Sequence, residues 1–229
     1  MFRRPLLILA LVLAAGCSSP AASVSPSPTP TPAPTPSPSP AKSAPPAGWT
    51  TVARTSDGFS ISIPPSWRAI DLDPQTMNSA FKTMVDQNPA FGQTYSVEQM
   101  QTLVQQGIKM MAFDFGSGGH TNLNVLQQTL PSEMSASVFS QLAASQVEVQ
   151  LNIATPKNEP AIVGNLDARV VKYDLALQTP NGLFNASFSQ YIAIHGKDAY
   201  IITFTNRAED AAGNRALFDQ IAATFDLSP

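Results

Sequence analysis

The chain is poor in the groups that most protein chemistry needs. It holds one cysteine, so it can form no internal disulfide and fits no cysteine-rich zinc module. Two histidines leave little for a histidine-based metal site. Charged residues make up 13% of the chain, about half the usual ~25%. The net charge of −3 excludes a strongly basic nucleic-acid binder. The longest apolar run, Leu6 to Ala15, is half the ~20 residues that a membrane-spanning helix needs.

Proline is abundant instead, with 21 residues against 12 glycines, and it crowds the N-terminal part. Arg3 and Arg4 followed by the apolar run predict a signal peptide over 1–16. The run ends in Leu13-Ala14-Ala15-Gly16-Cys17, which resembles a bacterial lipobox. Ala14 departs from it, standing where leucine is commonest, with Leu13 one place further out. The lipobox reading makes Cys17 the lipidated first residue, anchored by acyl chains such as palmitate at ~0.8 kcal/mol per buried CH₂. The alternative is ordinary cleavage near Ala15, with Cys17 a free thiol. From Cys17 to Ala47 the chain is rich in Ser-Pro, Thr-Pro and Ala-Pro, with one charge, Lys42, and no aromatic residue. Such a stretch cannot build a core. It predicts an extended tether of up to roughly 90 Å on the outer face of the cell membrane.

The remaining part, 48–229, carries all sixteen acids and ten of the thirteen basic residues, a balance of −6. That disfavours anionic lipid or polymer as the main partner. Thr51 to Thr55 and Phe59 to Ile63 predict a hairpin around Ser56-Asp57-Gly58, with Phe59, Ile61 and Ile63 on one buried face. Asp73-Pro74 predicts a helix start. Ser96 to Gln99 fits a capping box, opening a second helix that Gly107 closes. Ile108–Phe115 and Asn122–Gln128 read as strands. Val138, Phe139, Leu142 and Val149 mark a third helix. Three strands in meander follow, turned by Thr179-Pro180-Asn181-Gly182 and Gly196-Lys197-Asp198. Asp210 is expected to cap a last helix. These elements predict one α+β domain, an antiparallel sheet flanked by helices.

The segment Asp57-Gly58-Phe59-Ser60-Ile61-Ser62-Ile63-Pro64-Pro65-Ser66-Trp67 resembles the start of PsbP-like domains. The Asn122-Leu123-Asn124-Val125 strand is similar to another part of that group. So is Tyr200–Thr205 followed by a helix and Phe225. Among such domains the chain resembles single-domain actinobacterial lipoproteins of the LpqN/LpqT type. The resemblance implies an α/β/α sandwich and non-catalytic work, and it transfers no binding residue.

Little in the sequence points to chemistry. Gly116-Ser117-Gly118-Gly119-His120 is neither a nucleophile elbow nor a phosphate loop, lacking a lysine and a following helix. His120 and His195 read as turn-side histidines, Asp71 and Asp73 as helix-start carboxylates, and Glu209-Asp210 likewise. Asn185-Ala186-Ser187 matches a glycosylation sequon inside a strand. Met100, Met110 and Met111 with Phe91 fit core packing, or else an adaptable apolar surface. Trp49 and Trp67 read as packing anchors.

No enzyme, cofactor or metal site is therefore expected. Three readings remain: an interaction or assembly module of the cell envelope, a binding protein for a small apolar or envelope-derived ligand, and an enzyme, which would need convergent polar groups in one cleft that the sequence does not display. The best candidates for partner contact are Phe113, Phe115, Gly116, Gly118, Gly119 and His120, where low side-chain bulk predicts a mobile loop.

Overall fold

The structure, a computed structural model, describes residues 44–118, 120–154, 156–179 and 182–227. The expected signal peptide, Cys17 and nearly all of the tether lie outside them. Among the described residues no helix is long and apolar enough to cross a membrane.

Strands β1 (Thr50–Arg54) and β2 (Phe59–Ile63) pair antiparallel around a 3₁₀ turn and Gly58, as the sequence predicts. Gly58 takes φ +73°, a left-handed conformation that glycine adopts without strain. The turn is pinned by Asp57, which faces Arg54 and Lys109 at 3.3 Å each. The expected half-burial of β2 is corrected: all five residues are buried. The C-terminal segment covers its serine side. Ser60 exchanges backbone hydrogen bonds with Asp226, and the Ser62 N–H donates to Thr224 Oγ1 at 2.9 Å.

After Pro64-Pro65 the chain forms β3 (Trp67–Ile70), a strand too short to show a period. Helix α1 (Met77–Gln87) begins three residues later than Asp73-Pro74 suggests. Asp73 instead shapes the approach: its carboxylate accepts from the Gln75 N–H, and its carbonyl accepts from Thr76 and Met77. The short helix α2 (Pro89–Thr94) was not foreseen. Helix α3 (Val97–Gln105) carries the full Ser96–Gln99 capping box, with Met100 and Leu103 buried.

The large sheet is built from β3, β4 (Ile108–Asp114), β5 (Asn122–Thr129), β6 (Lys157–Val163), β7 (Leu166–Thr179), β8 (Gly182–His195) and β9 (Asp198–Arg207). Its order is β3-β4-β5-β9-β8-β7-β6, and every pairing is antiparallel. Helix α4 (Ala136–Leu151) precedes β6, and α5 (Ala211–Ala223) follows β9. Asp210 stands at the N-cap of α5 as expected, but its side chain makes no capping bond. The fold is thus α+β, a seven-stranded antiparallel sheet with helices on it.

Each sheet face builds its own core. One holds Phe59, Trp67, Met110, Leu123, Val125, Tyr191, Ile202, Phe204, Phe218 and Phe225 under β1, β2 and α5. There Phe204 stacks on Phe218 at 4.4 Å and Phe59 on Phe225 at 5.5 Å. The other holds Met77, Phe91, Tyr95, Met100, Met111, Phe113, Phe139, Val147, Tyr173 and Phe188 under α1 to α4. α4 lies otherwise than its apolar pattern suggests. Phe139 is buried with Ser140, Ala143 and Val147, while Val138, Leu142 and Val149 face outward. The buried side thus mixes the small Ser140 and Ala143 with Phe139 and Val147, and Val138, Leu142 and Val149 are left on the far side.

Candidate functional site

Alternation along the central strands places polar side chains where a core face is expected. On β5, Leu123 and Val125 point to the α5 side, so Asn122 and Asn124 share the opposite face with Leu126. On β9, Thr203 and Thr205 share that face with Ile201. On β8, Gln190 lies between Phe188 and Ile192.

The register aligns these positions in rows. Phe113, Asn122, Thr205, Phe188 and Tyr173 are successive partners across β4, β5, β9, β8 and β7. The next row is Met111, Asn124, Thr203, Gln190 and Val171. Beyond it, Leu126, Ile201 and Ile192 form an apolar row. Five neutral polar side chains therefore form one patch, about 10 Å across the strands and roughly 7 Å along them.

The patch is deeply buried: Asn122 and Asn124 are 3% exposed, Gln190 4%, Thr203 6% and Thr205 8%. On this face α1 lies against β3, α3 against β4, and α4 against β6, β7 and β8. The sheet order leaves β5 and β9 between the two helix groups. Aromatic side chains bound the patch at both ends. Tyr95, between α2 and α3, packs edge-on against Phe113 at 5.0 Å and accepts from Asn122 Nδ2 at 3.4 Å. Tyr173 stacks on Phe188 at 5.0 Å.

Hydrogen bonding here is incomplete. Among the described residues, Asn122 Oδ1, Asn124 Nδ2 and Tyr173 Oη are buried without a partner. A buried polar group left unpaired costs roughly 1–3 kcal/mol, so folded proteins pair nearly all of them. Burial also pushes the Tyr95 and Tyr173 phenols well above their ordinary range, which keeps both neutral. The patch therefore carries no formal charge and offers donors and acceptors side by side.

The loop singled out from sequence stands at one end of this patch. Phe113 is fully buried between Phe91 and Tyr95, so it is corrected from contact residue to core. Phe115 is half-buried against the same core. Gly119 lies outside the described residues. Gly116 and Gly118 sit in a turn held by hydrogen bonds: the Gly116 N–H donates to Asp114 Oδ1 at 3.0 Å, and Ser117 Oγ accepts from the Thr121 N–H at 3.2 Å. Exposed His120 stacks on Phe184 at 5.9 Å. Burial lowers its pKa first, and Arg207 adds to this, while Asp210 opposes them.

Other candidates come apart. His120 lies by Phe184 at one end of β8, and His195 ends the same fourteen-residue strand at the other. They cannot share an ion. Among the described residues no group of three or more potential metal ligands occurs. Asp71 accepts from Thr76 Oγ1 at 2.5 Å and from the Asp73 N–H, which lowers its pKa and fixes the turn before α1. Glu209 pairs with Arg207 at 3.4 Å. Met100 and Met111 lie in one core and Met110 in the other, all at 1% exposure or less, so they line no shared apolar surface. Trp67 is buried and Trp49 half-buried against the α5-side core. A separate cleft of about 460 Å³ is bordered by Lys157, Lys172 and Arg215 beside the start of α5. Glu159 already pairs with Lys172 and Arg215 there.

The polar patch was missed from sequence, although Asn122-Leu123-Asn124-Val125 and Thr203-Phe204-Thr205 contain it. Polar residues alternating with apolar ones read as a solvent face. The helices that cover this face come from elsewhere in the chain.

No family model matches the chain, and no curated protein matches it either. Solved structures do resemble it. One is cyanobacterial PsbP (CyanoP) from Synechocystis sp. PCC 6803, at 12% identity over 79% of this chain and 92% of that one, with a TM-score of 0.46. Another is LpqN of Mycobacterium tuberculosis, described as involved in cell envelope biogenesis, at 9% identity over 79% and 91%, with a TM-score of 0.45. The Saccharomyces cerevisiae Ran-binding protein Mog1p matches at 8% identity over 78% and 95%, with a TM-score of 0.43. The chain thus resembles PsbP-like and LpqN-type proteins in the course of its backbone, and no function passes to it from that likeness.

Proposed function

We propose that this chain is an extracytoplasmic, membrane-tethered binding module that does no chemistry of its own, and that the polar patch over β5, β8 and β9 is its site. The carrying observation is the unpartnered Asn122 Oδ1, Asn124 Nδ2 and Tyr173 Oη, buried on the same helix-covered face of the sheet. A patch that only filled a core would be apolar or fully paired. A ligand that supplies the missing hydrogen bonds recovers what folding leaves unmet. This reading takes the ligand as polar rather than apolar, because the patch is built of Asn, Gln and Thr side chains.

The tether and anchor support the location. The lipobox-like Cys17 and the proline-rich stretch hold the domain outside the membrane in this reading. Replacing Cys17 with serine is expected to move the protein from the membrane fraction to the medium. Unchanged partition of Cys17→Ser refutes the anchor.

One observation favours a second reading, an assembly module: α4 exposes Val138, Leu142 and Val149 along its outer side. Loss of a co-purified envelope protein on replacing all three with serine supports it. Unaltered capture by that variant removes it.

A further inference from the structure

The cleft of about 460 Å³ beside α5 opens at the outer edge of the sheet, where β6 begins. Its volume lies within the ~300–1,000 Å³ usual for small-ligand sites. One wall is α5, at Ala211, Ala212 and Arg215. The other is the chain before β6, at Ile153, Ala154 and Pro156. Val170 and Tyr191 point into the α5-side core, so alternation puts Lys172 and Asp174 of β7 and Ser187 and Ser189 of β8 on that same side, as the floor. The register sets them in two rows, Lys157 with Lys172 and Ser189, then Asp174 with Ser187.

The charges here are incompletely matched. Glu159 alone serves both Lys172 and Arg215. Lys157 and Asp174 line the cleft and are exposed, and among the described residues neither forms an ion pair. Lys157 stands directly opposite Lys172 across the ladder, a placement that repels. A lone anion entering the cleft would meet Asp174, and a lone cation would meet three basic groups. A ligand with both charges satisfies Lys157 and Asp174 together. These two lie on a diagonal of the ladder, about 7–8 Å apart.

The cleft also borders unpaired backbone. β6 pairs with β7 only as far as Lys157 and Lys172, while β7 runs on to Thr179. Among the described residues no strand covers the outer edge of β7 beyond Lys172. The free N–H and C=O groups of such an edge accept an added strand. A single amino acid has the two charges but no length to use that edge. A peptide has both, and the small Ser187, Ser189, Ala211 and Ala212 leave room for short side chains.

We propose that this cleft binds a short extended peptide with one anionic and one cationic group, laid along the free edge of β7 with its anion at Lys157 and its cation at Asp174. The site is separate from the polar patch and does not depend on it.

The test titrates the full chain with trialanine, N-acetyl-trialanine amide, alanine and inorganic phosphate, following the backbone ¹⁵N–¹H resonances. Trialanine is expected to shift the amides of Lys172, Asp174 and Ser187 in a saturable way and to slow hydrogen exchange along β7 beyond Lys172. Lys157→Met and Asp174→Asn, both at exposed positions, are each expected to weaken its binding roughly fivefold or more with the melting temperature unchanged. Equal binding of the uncharged N-acetyl-trialanine amide overturns the charge pairing. Equal binding of alanine overturns the added strand. Saturation by phosphate but not trialanine makes the cleft an anion site and overturns the peptide. Trialanine shifts confined to other residues, or no saturable shift from any probe, overturn the site itself.

Discussion

Gly164 lies against the backbone of Phe225. A Cβ on Gly164 would stand 2.1 Å from the Phe225 carbonyl oxygen. Gly164 turns β6 into β7 with φ +59°, and its N–H donates to the Ala222 carbonyl at 3.0 Å. The edge hairpin of the large sheet is thereby fastened to the end of α5. The same stretch of chain bonds to β2 through Ser60 and Asp226. The α5-side layer depends on this contact.

Gly164→Ala is therefore expected to destabilise the domain by about 2–4 kcal/mol. Both the positive φ and the clash with rigid backbone act against the methyl group. A thermal melt checks this, with Gly196→Ala as the comparison. Gly196 has the same φ but open space around its Cβ position, so it carries the conformational cost alone. Equal losses at the two sites would show that the Phe225 contact relaxes freely.

Thr224 joins α5 to β2 through one hydroxyl. It accepts from the Ser62 N–H at 2.9 Å and donates to the Ile221 carbonyl at 2.7 Å. Thr224→Val keeps the shape and leaves the buried Ser62 N–H unpaired, at an expected cost of about 1–3 kcal/mol. Thr224→Ser keeps the hydroxyl and is expected to lose less. Urea melts of the two variants give the comparison, and a valine variant as stable as the wild type contradicts the bond.

Glu159 accepts from Lys172 Nζ at 2.6 Å and lies 3.1 Å from Arg215. The Lys172 hydrogen bond, ahead of the charges around it, lowers the Glu159 pKa below its ordinary 4.5. A depressed carboxylate pKa stabilises the fold above the unfolded value and is lost as pH falls through the folded value. Glu159 is more than a third exposed, so solvent screening holds the effect to about 0.5 kcal/mol. Glu159→Gln is expected to be slightly less stable than wild type at pH 7 and equal to it at pH 2. A difference that persists at pH 2 assigns the loss to packing.

The sequence's legibility divides by the range of the interactions. The capping box at Ser96 and Gln99, the turn at Gly58 and the meander of β7, β8 and β9 are set by residues near one another, and all are present. Strand β3 and helix α2 are too short to show a period, and Pro160 disguises edge strand β6. Asn124 could not be told from a solvent-facing residue, because burial of its face depends on α1 to α3, which end at Gln105, and on α4 after it. The lone signal was the repetition of polar alternation on β5 and β9, neighbours that both lie in the middle of the sheet.

Two tyrosines on opposite faces of the sheet allow one substitution to be read in both directions. The Tyr191 hydroxyl donates to Asp219 Oδ1 at 2.6 Å, reaching from the α5-side core to the helix surface. The Tyr173 hydroxyl is buried on the other face without a protein partner. Phenylalanine keeps the ring packing at each site, so only the hydroxyl changes. Tyr191→Phe removes a hydrogen bond to an exposed carboxylate and is expected to cost about 1 kcal/mol. Tyr173→Phe removes an unmet polar group and is expected to be neutral, or stabilising by up to about 1 kcal/mol. At this chain length each kcal/mol moves the melting temperature by roughly 2–4 °C, so calorimetry resolves the contrast in sign. A Tyr173→Phe variant that melts as far below wild type as Tyr191→Phe would mean that its hydroxyl is paired in the free protein. The polar patch would then have one fewer group to offer a ligand.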